Sequence, residues 1–235
     1  MLNDERFNKN LSKYDRNAIL QKNIAKELIR LLKLNVGENF RNIFEIGCGS
    51  GFLTREIVQN LKYKILILND IVENSENYVR NFGNNFVKGD AEKIIFPLNS
   101  DLVISSSVFQ WFNDFKSFVP KVYDSLNNNG ILAFSMFIDG NFKEIKDFFN
   151  ISLHYLQEDE IKKIILQKNF EILFSNSIRT ILNFDSSIDI LKHIKDTGIN
   201  VIRKQKLEKN KIYSFIRSNI LNLTYNYYFI IARKK

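Results

Sequence analysis

One cysteine, two prolines and two histidines are all that 235 residues hold of these types. A lone thiol, Cys48, closes no internal disulfide, so the chain does not rest on cross-links and fits a reducing, cytoplasmic setting. The two histidines, His154 and His193, and that cysteine make no cluster with metal-ligand spacing, so no metal is expected. No apolar run approaches the roughly 18–20 residues of a membrane span, so no membrane partner is expected. The opening Met1-Leu2-Asn3-Asp4-Glu5-Arg6 lacks the basic-then-apolar order of a secretion signal. Repeats and low-complexity linkers are missing too, which points to one domain over 1–235.

What is present is ordinary for a globular chain with a full core: 45% hydrophobic and 26% charged residues. Lys plus Arg exceed Asp plus Glu by 34 to 26, a formal net charge of +8. Such a balance suits an acidic partner. A chain rich in Lys, Asn, Ile and Phe also carries such an excess with no partner at all, and both readings stand. The basic run Arg203, Lys204, Lys206 and Lys209 is either a solvated helix face or a docking surface for an acidic protein. It has no aromatic before Tyr213 on which bases could stack, so nucleic acid is not the expected partner.

Apolar positions Leu11, Tyr14, Ala18, Ala25, Leu28 and Leu32 recur at helical spacing and predict an amphipathic helix over Ser12–Leu32, part of an N-terminal lid over 1–35. Short apolar strands are expected at Ile43–Ile46, Lys64–Leu68, Asn85–Lys88, Asp101–Ser105 and Ile131–Ser135. Helices between them begin at Thr54, cover Glu73–Asn81 and cover Phe115–Leu126. Strand–helix alternation of this kind implies βαβ units and a parallel sheet covered on both faces. Later come helices at Phe142–Phe149, Glu158–Gln167 and Ser187–Asp196, and strands at Phe170–Phe184 and Leu223–Ala232. Residues 185–222 read as a small cap standing off the sheet.

Asn42–Phe52, reading N-I-F-E-I-G-C-G-S-G-F, is the most informative stretch. A buried strand ends in Glu45, glycines follow at Gly47, Gly49 and Gly51, and a helix begins. Alternate glycines let backbone approach a ligand closely at a helix N-terminus. A dinucleotide fingerprint needs its third glycine at the sixth position, and here that position is Phe52. E-x-G-x-G-x-G instead resembles motif I of the class I S-adenosylmethionine (SAM) methyltransferases. Ligands gather at the carboxyl ends of parallel strands, which puts Asp70-Ile71 after the second strand and Asp90-Ala91 after the third beside a cofactor. Ser105, at the end of the fourth, joins them, and Cys48 serves as a small spacer rather than a nucleophile, with no histidine nearby to activate it.

The resemblance extends along nearly the whole chain to one family, the malonyl-acyl-carrier-protein O-methyltransferases of biotin synthesis. It is carried by Phe7…Tyr14-Asp15-x-x-Ala18-x-x-Gln21, by E-I-G-C-G-S-G-F-L-T, by G-D-A-E, and by S-S-S-V-F-Q-W-F. Leu191–Asn200 and the Leu223-Thr224-Tyr225 segment resemble its late motifs. The chain departs from the family's habit at Ser50 and Ser106 and lacks an arginine near His154. The resemblance implies a Rossmann-like α/β fold with a seven-stranded, mostly parallel sheet, helices on both faces and a small C-terminal cap insertion. It implies S-adenosyl-L-methionine as cofactor, held by Glu45, the glycine turn, Asp70, Ile71, Asp90, Ala91, Ser105 and Gln21. It implies methylation of the free carboxylate of malonyl-acyl-carrier protein or malonyl-CoA. Tyr14 and Trp111 would wall the substrate, and Lys195 or Arg179 would orient its carboxylate. Competing readings are a methyltransferase of a small free carboxylic acid and a non-catalytic SAM-binding partner subunit.

Overall fold

Neighbouring residues in each central strand fall into opposite cores. Ile43, Leu102, Ala133 and Phe229 join one buried cluster, while Phe44, Val103, Phe134 and Ile230 join another. Side chains alternate across a strand, so a sheet whose consecutive residues are all apolar must be covered on both faces. The computed structural model, which describes residues 18–151, 154–197 and 208–235, has this arrangement.

Seven strands form one sheet: β1 (Asn42–Ile46), β2 (Ile65–Asp70), β3 (Asn85–Lys88), β4 (Ser100–Ser106), β5 (Leu126–Phe137), β6 (Phe170–Asn183) and β7 (Asn222–Lys234). Their order is β3-β2-β1-β4-β5-β7-β6. The first five run parallel, and β7 is antiparallel to both β5 and β6. This is a Rossmann-like sheet completed by an antiparallel pair, β7 and β6. All seven expected strands are present, and β2, β4, β5 and β7 run on past the ends expected for them.

The described helices are α1 (Ile19–Asn35), α2 (Phe52–Asn60), α3 (Ser75–Val79), α4 (Phe115–Ser125), α5 (Lys143–Phe149), α6 (Glu158–Gln167), α7 (Ser187–Asp196) and α8 (Lys209–Ile216). A short 3-10 turn lies at Phe109–Trp111. Helix α1 buries Gln21, Ile24, Ala25, Leu28, Ile29, Leu31 and Leu32, a stripe at helical period, against α2 and β5. The part of its expected range before residue 18 lies outside the described residues. Helices α7 and α8 fill the segment between β6 and β7 where the pattern predicts a cap; α8, which begins at the end of the basic run, has no counterpart among the expected helices.

Candidate active site

The parallel strands all end on one side, and there the chain turns sharply after β1. Gly47, Gly49 and Gly51 have φ of 72°, 53° and 83°, values that L side chains rarely adopt. Their jobs differ. A Cβ on Gly47 would fall 2.4 Å from Val108, so this glycine permits close packing of the loop after β4. A Cβ on Gly51 would lie 3.0 Å from Val79, and this residue is the left-handed N-cap of α2. A Cβ on Gly49 would meet nothing within 4 Å. Of the three, only Gly49 leaves open the space that a Cβ would take.

Strand β2 holds the turn. The carbonyl of Asn69 accepts from the N–H of Gly47 at 2.8 Å and of Cys48 at 2.9 Å. Asp70 accepts from Gly49 N–H at 2.7 Å and, through its other oxygen, from Val72 N–H at 2.8 Å. The carboxylate therefore ties the glycine turn to the start of the next loop. Asn69, missed because the apolar run ends at Leu68, also donates to Val87 and Gly89 carbonyls and so fixes the end of β3.

Around this turn lies a cavity of about 200 Å³. Of the expected site residues it brings together Gln21, Gly47, Cys48, Gly49, Asp70, Ile71, Asp90, Ala91 and Trp111. Asp90 accepts from Glu92 N–H at 3.0 Å and pairs with Lys93 at 3.3 Å. Glu92, also in the wall, accepts from the N–H groups of Asn113 and Asp114 and so joins the loops after β3 and β4. Burial pushes the Cys48 thiol well above its ordinary pKa, with the charges of Asp70 and Glu45 adding to the effect, in keeping with a spacer.

Other expected residues are not in the wall. Glu45 is fully buried, accepts from Thr54 Oγ1 at 2.7 Å, and leaves its second oxygen without a partner. Burial, with a smaller push from Asp70, raises its pKa from 4.5 to about 8. Ser105 is turned inward and donates to the Ile46 carbonyl at 2.8 Å; the next two residues, Ser106 and Ser107, line the cavity instead. A period of two makes that one-residue difference a change of face. Gly51 packs rather than lines. Arg179, exposed on the edge strand β6, and Lys195, exposed on α7, are both absent from the wall among the described residues. Tyr14, Arg203, Lys204 and Lys206 lie outside the described residues, and Lys209 is exposed at the start of α8.

Three more wall residues were not among the expected site residues, though Ser50 lies within the glycine motif itself. Ser50 carries a buried hydroxyl without a partner in the protein. Phe137 closes β5, and Thr197 ends α7. Gln110 joins Phe137 to the loop after β4, donating to Ser107 O at 2.6 Å and accepting from Phe137 N–H at 3.4 Å. The wall holds three carboxylates, Asp70, Asp90 and Glu92, and no Lys or Arg among the described residues. Such a cavity favours a ligand bearing positive charge and polar groups. The described residues contain no group of three or more His, Cys, Asp or Glu able to hold a metal, and no helix long and apolar enough to cross a membrane.

Residues 44–134 match a family model described as a methyltransferase domain. A malonyl-[acyl-carrier protein] O-methyltransferase of Calditerrivibrio nitroreducens is 35% identical over 97% of this chain and 95% of its own length. One from Bacteroides thetaiotaomicron is 33% identical over 98% and 97%, and one from Haemophilus influenzae 31% over 97% and 92%. Among solved structures, a candidate methyltransferase of Bacillus halodurans superposes with a TM-score of 0.65 at 15% identity, covering 88% of this chain and 98% of that one. A phosphoethanolamine N-methyltransferase of Haemonchus contortus, solved with S-adenosylhomocysteine, gives 0.57 at 18%, covering 88% and 52%. These two share the fold.

Proposed function

The chain belongs to the malonyl-[acyl-carrier protein] O-methyltransferases, and from that membership we propose that it methylates the free carboxylate of a malonyl thioester on an acyl-carrier protein. S-adenosylmethionine is the donor; when bound it supplies a methyl group on a sulfonium, which leaves as the neutral thioether when an oxygen takes the methyl. The product is the malonyl methyl ester, whose masked acid lets it serve as a primer for pimeloyl synthesis toward biotin. A cytoplasmic setting goes with the single unpaired thiol.

The observation that carries this reading is the wall itself: an open cradle over Gly49 beside three carboxylates, with no cation among the described lining residues. A ligand with an ammonium, a sulfonium and a ribose diol fits that set of charges and acceptors. We assign Gln21, Gly47, Cys48, Gly49, Asp70, Ile71, Asp90 and Ala91 to it, together with the unpartnered Ser50 hydroxyl, which lies within the glycine turn. Glu45 would act from behind the turn, through the charge it takes up when a cationic ligand binds and displaces its proton.

What the chain must do for the acid is limited. A carboxylate with a pKa of about 4 is already ionised at neutral pH, so no general base is needed. The protein's work is to align and to exclude water. Ser106, Ser107, Gln110 and Trp111 present neutral donors and an aromatic wall beside the cavity. Neutral donors orient an acid without a tight ion pair that would lower its nucleophilicity. The basic run 203–211 would serve the acidic carrier protein, not the reacting group.

Steady-state rates with malonyl-carrier protein, malonyl-CoA, free malonate and acetyl-carrier protein test the reading. It requires transfer to the malonyl thioesters, fastest on the carrier, and none to the acetyl form. Equal rates on free malonate would move the assignment to a small-acid methyltransferase. SAM binding without transfer to any of them would indicate a non-catalytic subunit.

A further inference from the structure

His193 is a part-buried titratable group that methyl transfer leaves unused. Its Nε2 lies 2.7 Å from the Tyr225 hydroxyl, and Tyr225 is fully buried in β7. The bond crosses from α7 to the sheet. Burial pushes the His193 ring below its ordinary pKa, with Asp196 acting against it, so at neutral pH the ring is uncharged. The pair is then a neutral hydrogen bond, made where water does not compete well for it.

Two routes lead from this bond to the cavity. One runs along α7: both the N–H and the hydroxyl of Thr197 donate to the His193 carbonyl, at 2.9 and 2.8 Å, and Thr197 is in the cavity wall. The other runs through the aromatic core. The Tyr225 ring packs 5.6 Å from the Phe137 ring and 4.8 Å from that of Phe142, and Phe137 is again in the wall. Phe137 ends β5, which lies beyond β4 from the strands that carry Asp70 and Asp90. The pair thus reaches two wall residues, of which Phe137 lies across the sheet from Asp70 and Asp90.

We propose that the His193–Tyr225 hydrogen bond is a positioning pair for the acceptor end of the cavity, seating α7 on β7 and so placing Thr197 and Phe137 against the substrate. This rests on the methyl-transfer reading for the word acceptor, but the seating of α7 does not. Neither residue touches the reacting atoms. Glycine turn and carboxylates are held separately, by Asn69 and Asp70, so the donor side is independent of the pair.

Y225F is the sharpest probe, because it keeps the ring and removes only the hydroxyl. Three readouts on the full chain separate the cases: amide hydrogen exchange of α7, SAM affinity by calorimetry, and the split of KM from kcat for malonyl-carrier protein. Loss of one buried hydrogen bond should raise KM for the acceptor about tenfold and speed exchange over Ser187–Asp196 by a similar factor. SAM affinity should stay within about twofold. H193A should behave alike, and H193Q, whose amide can span the same gap, should recover most of the loss. Unchanged KM and unchanged α7 exchange in Y225F overturn the proposal. So does a joint loss of acceptor and SAM affinity, which would mean general loosening. If the wild type transfers no methyl to any malonyl thioester, the functional reading fails alone. The pair is then decided by α7 exchange at constant SAM affinity, with no acceleration counting against it.

Discussion

Replacing Glu45 by glutamine should change how stability depends on pH. In the folded chain this carboxyl is fully buried and its pKa stands at about 8 rather than 4.5, chiefly because burial disfavours the charged form. The unfolded chain releases the proton near 4.5, while the folded chain holds it to about 8. Between those values the unfolded state binds fewer protons, so stability falls as pH rises; the contribution is complete below 4.5 and gone above about 8. At about 1.4 kcal/mol per unit, the full span is worth up to about 5 kcal/mol, and about 3–4 kcal/mol between pH 5 and 8. The amide that E45Q introduces does not titrate, so the variant lacks this slope. Guanidinium unfolding of both chains at three pH values isolates it, since every other group cancels in the difference. A difference that stays constant to within about 0.5 kcal/mol would refute the reasoning, because it would mean that Glu45 is ionised throughout. The same proton offers a second reading. A cationic cofactor arriving near Glu45 lowers its pKa, so SAM binding at pH 7 should release nearly one proton more in the wild type than in E45Q. Calorimetry in buffers of different ionisation enthalpy measures that release, and the ligand's own ammonium cancels between the two proteins.

The glycines should separate fold from ligand. G47A sets a Cβ 2.4 Å from Val108 and should lower the melting temperature, whereas a Cβ at Gly49 meets nothing within 4 Å, so G49V should instead abolish SAM binding by calorimetry at a cost to the fold of roughly 1–2 kcal/mol for a left-handed residue. D70A removes the acceptor for Gly49 and Val72 N–H groups and should weaken SAM binding by roughly 1–3 kcal/mol; unchanged affinity would deny Asp70 any part in the site. R179A and K195A, both outside the cavity wall, should leave KM for the acceptor within about twofold, and a rise of tenfold in either would restore that residue as the carboxylate clamp.

Local pattern was enough for the first half of the fold. Isoleucine, phenylalanine and glutamate before alternate glycines can only be a buried strand entering a turn, and Asp70 and Asp90 follow from the rule that parallel strands carry ligands at their carboxyl ends. Orientation is what local pattern leaves open. Ser105 and Ser106 are equally small and polar, and only the register of β4 against β1 decides which faces the cavity. Arg179 and Lys195 are candidates by charge alone, yet charge says nothing about the face of a strand or helix on which a side chain lies. Phe137 and Thr197 reach the cavity through β5 and α7, elements far apart in sequence, so no local pattern could have joined them. The antiparallel place of β7 between β5 and β6 is likewise a property of pairing, not of its apolar run. Helix α8 buries only Phe215 and is eight residues long, too short for its apolar spacing alone to decide between helix and strand.

The central claim is transfer to a carboxylate oxygen, and one product analysis tests it directly. Malonyl-carrier protein is incubated with the enzyme and SAM labelled in the methyl group, then treated with mild alkali. A methyl ester hydrolyses, so the account predicts that the label leaves as methanol and that acetyl-carrier protein takes up none. Label that survives alkali, bound to carbon or nitrogen, would contradict the claim, as would equal labelling of the acetyl form.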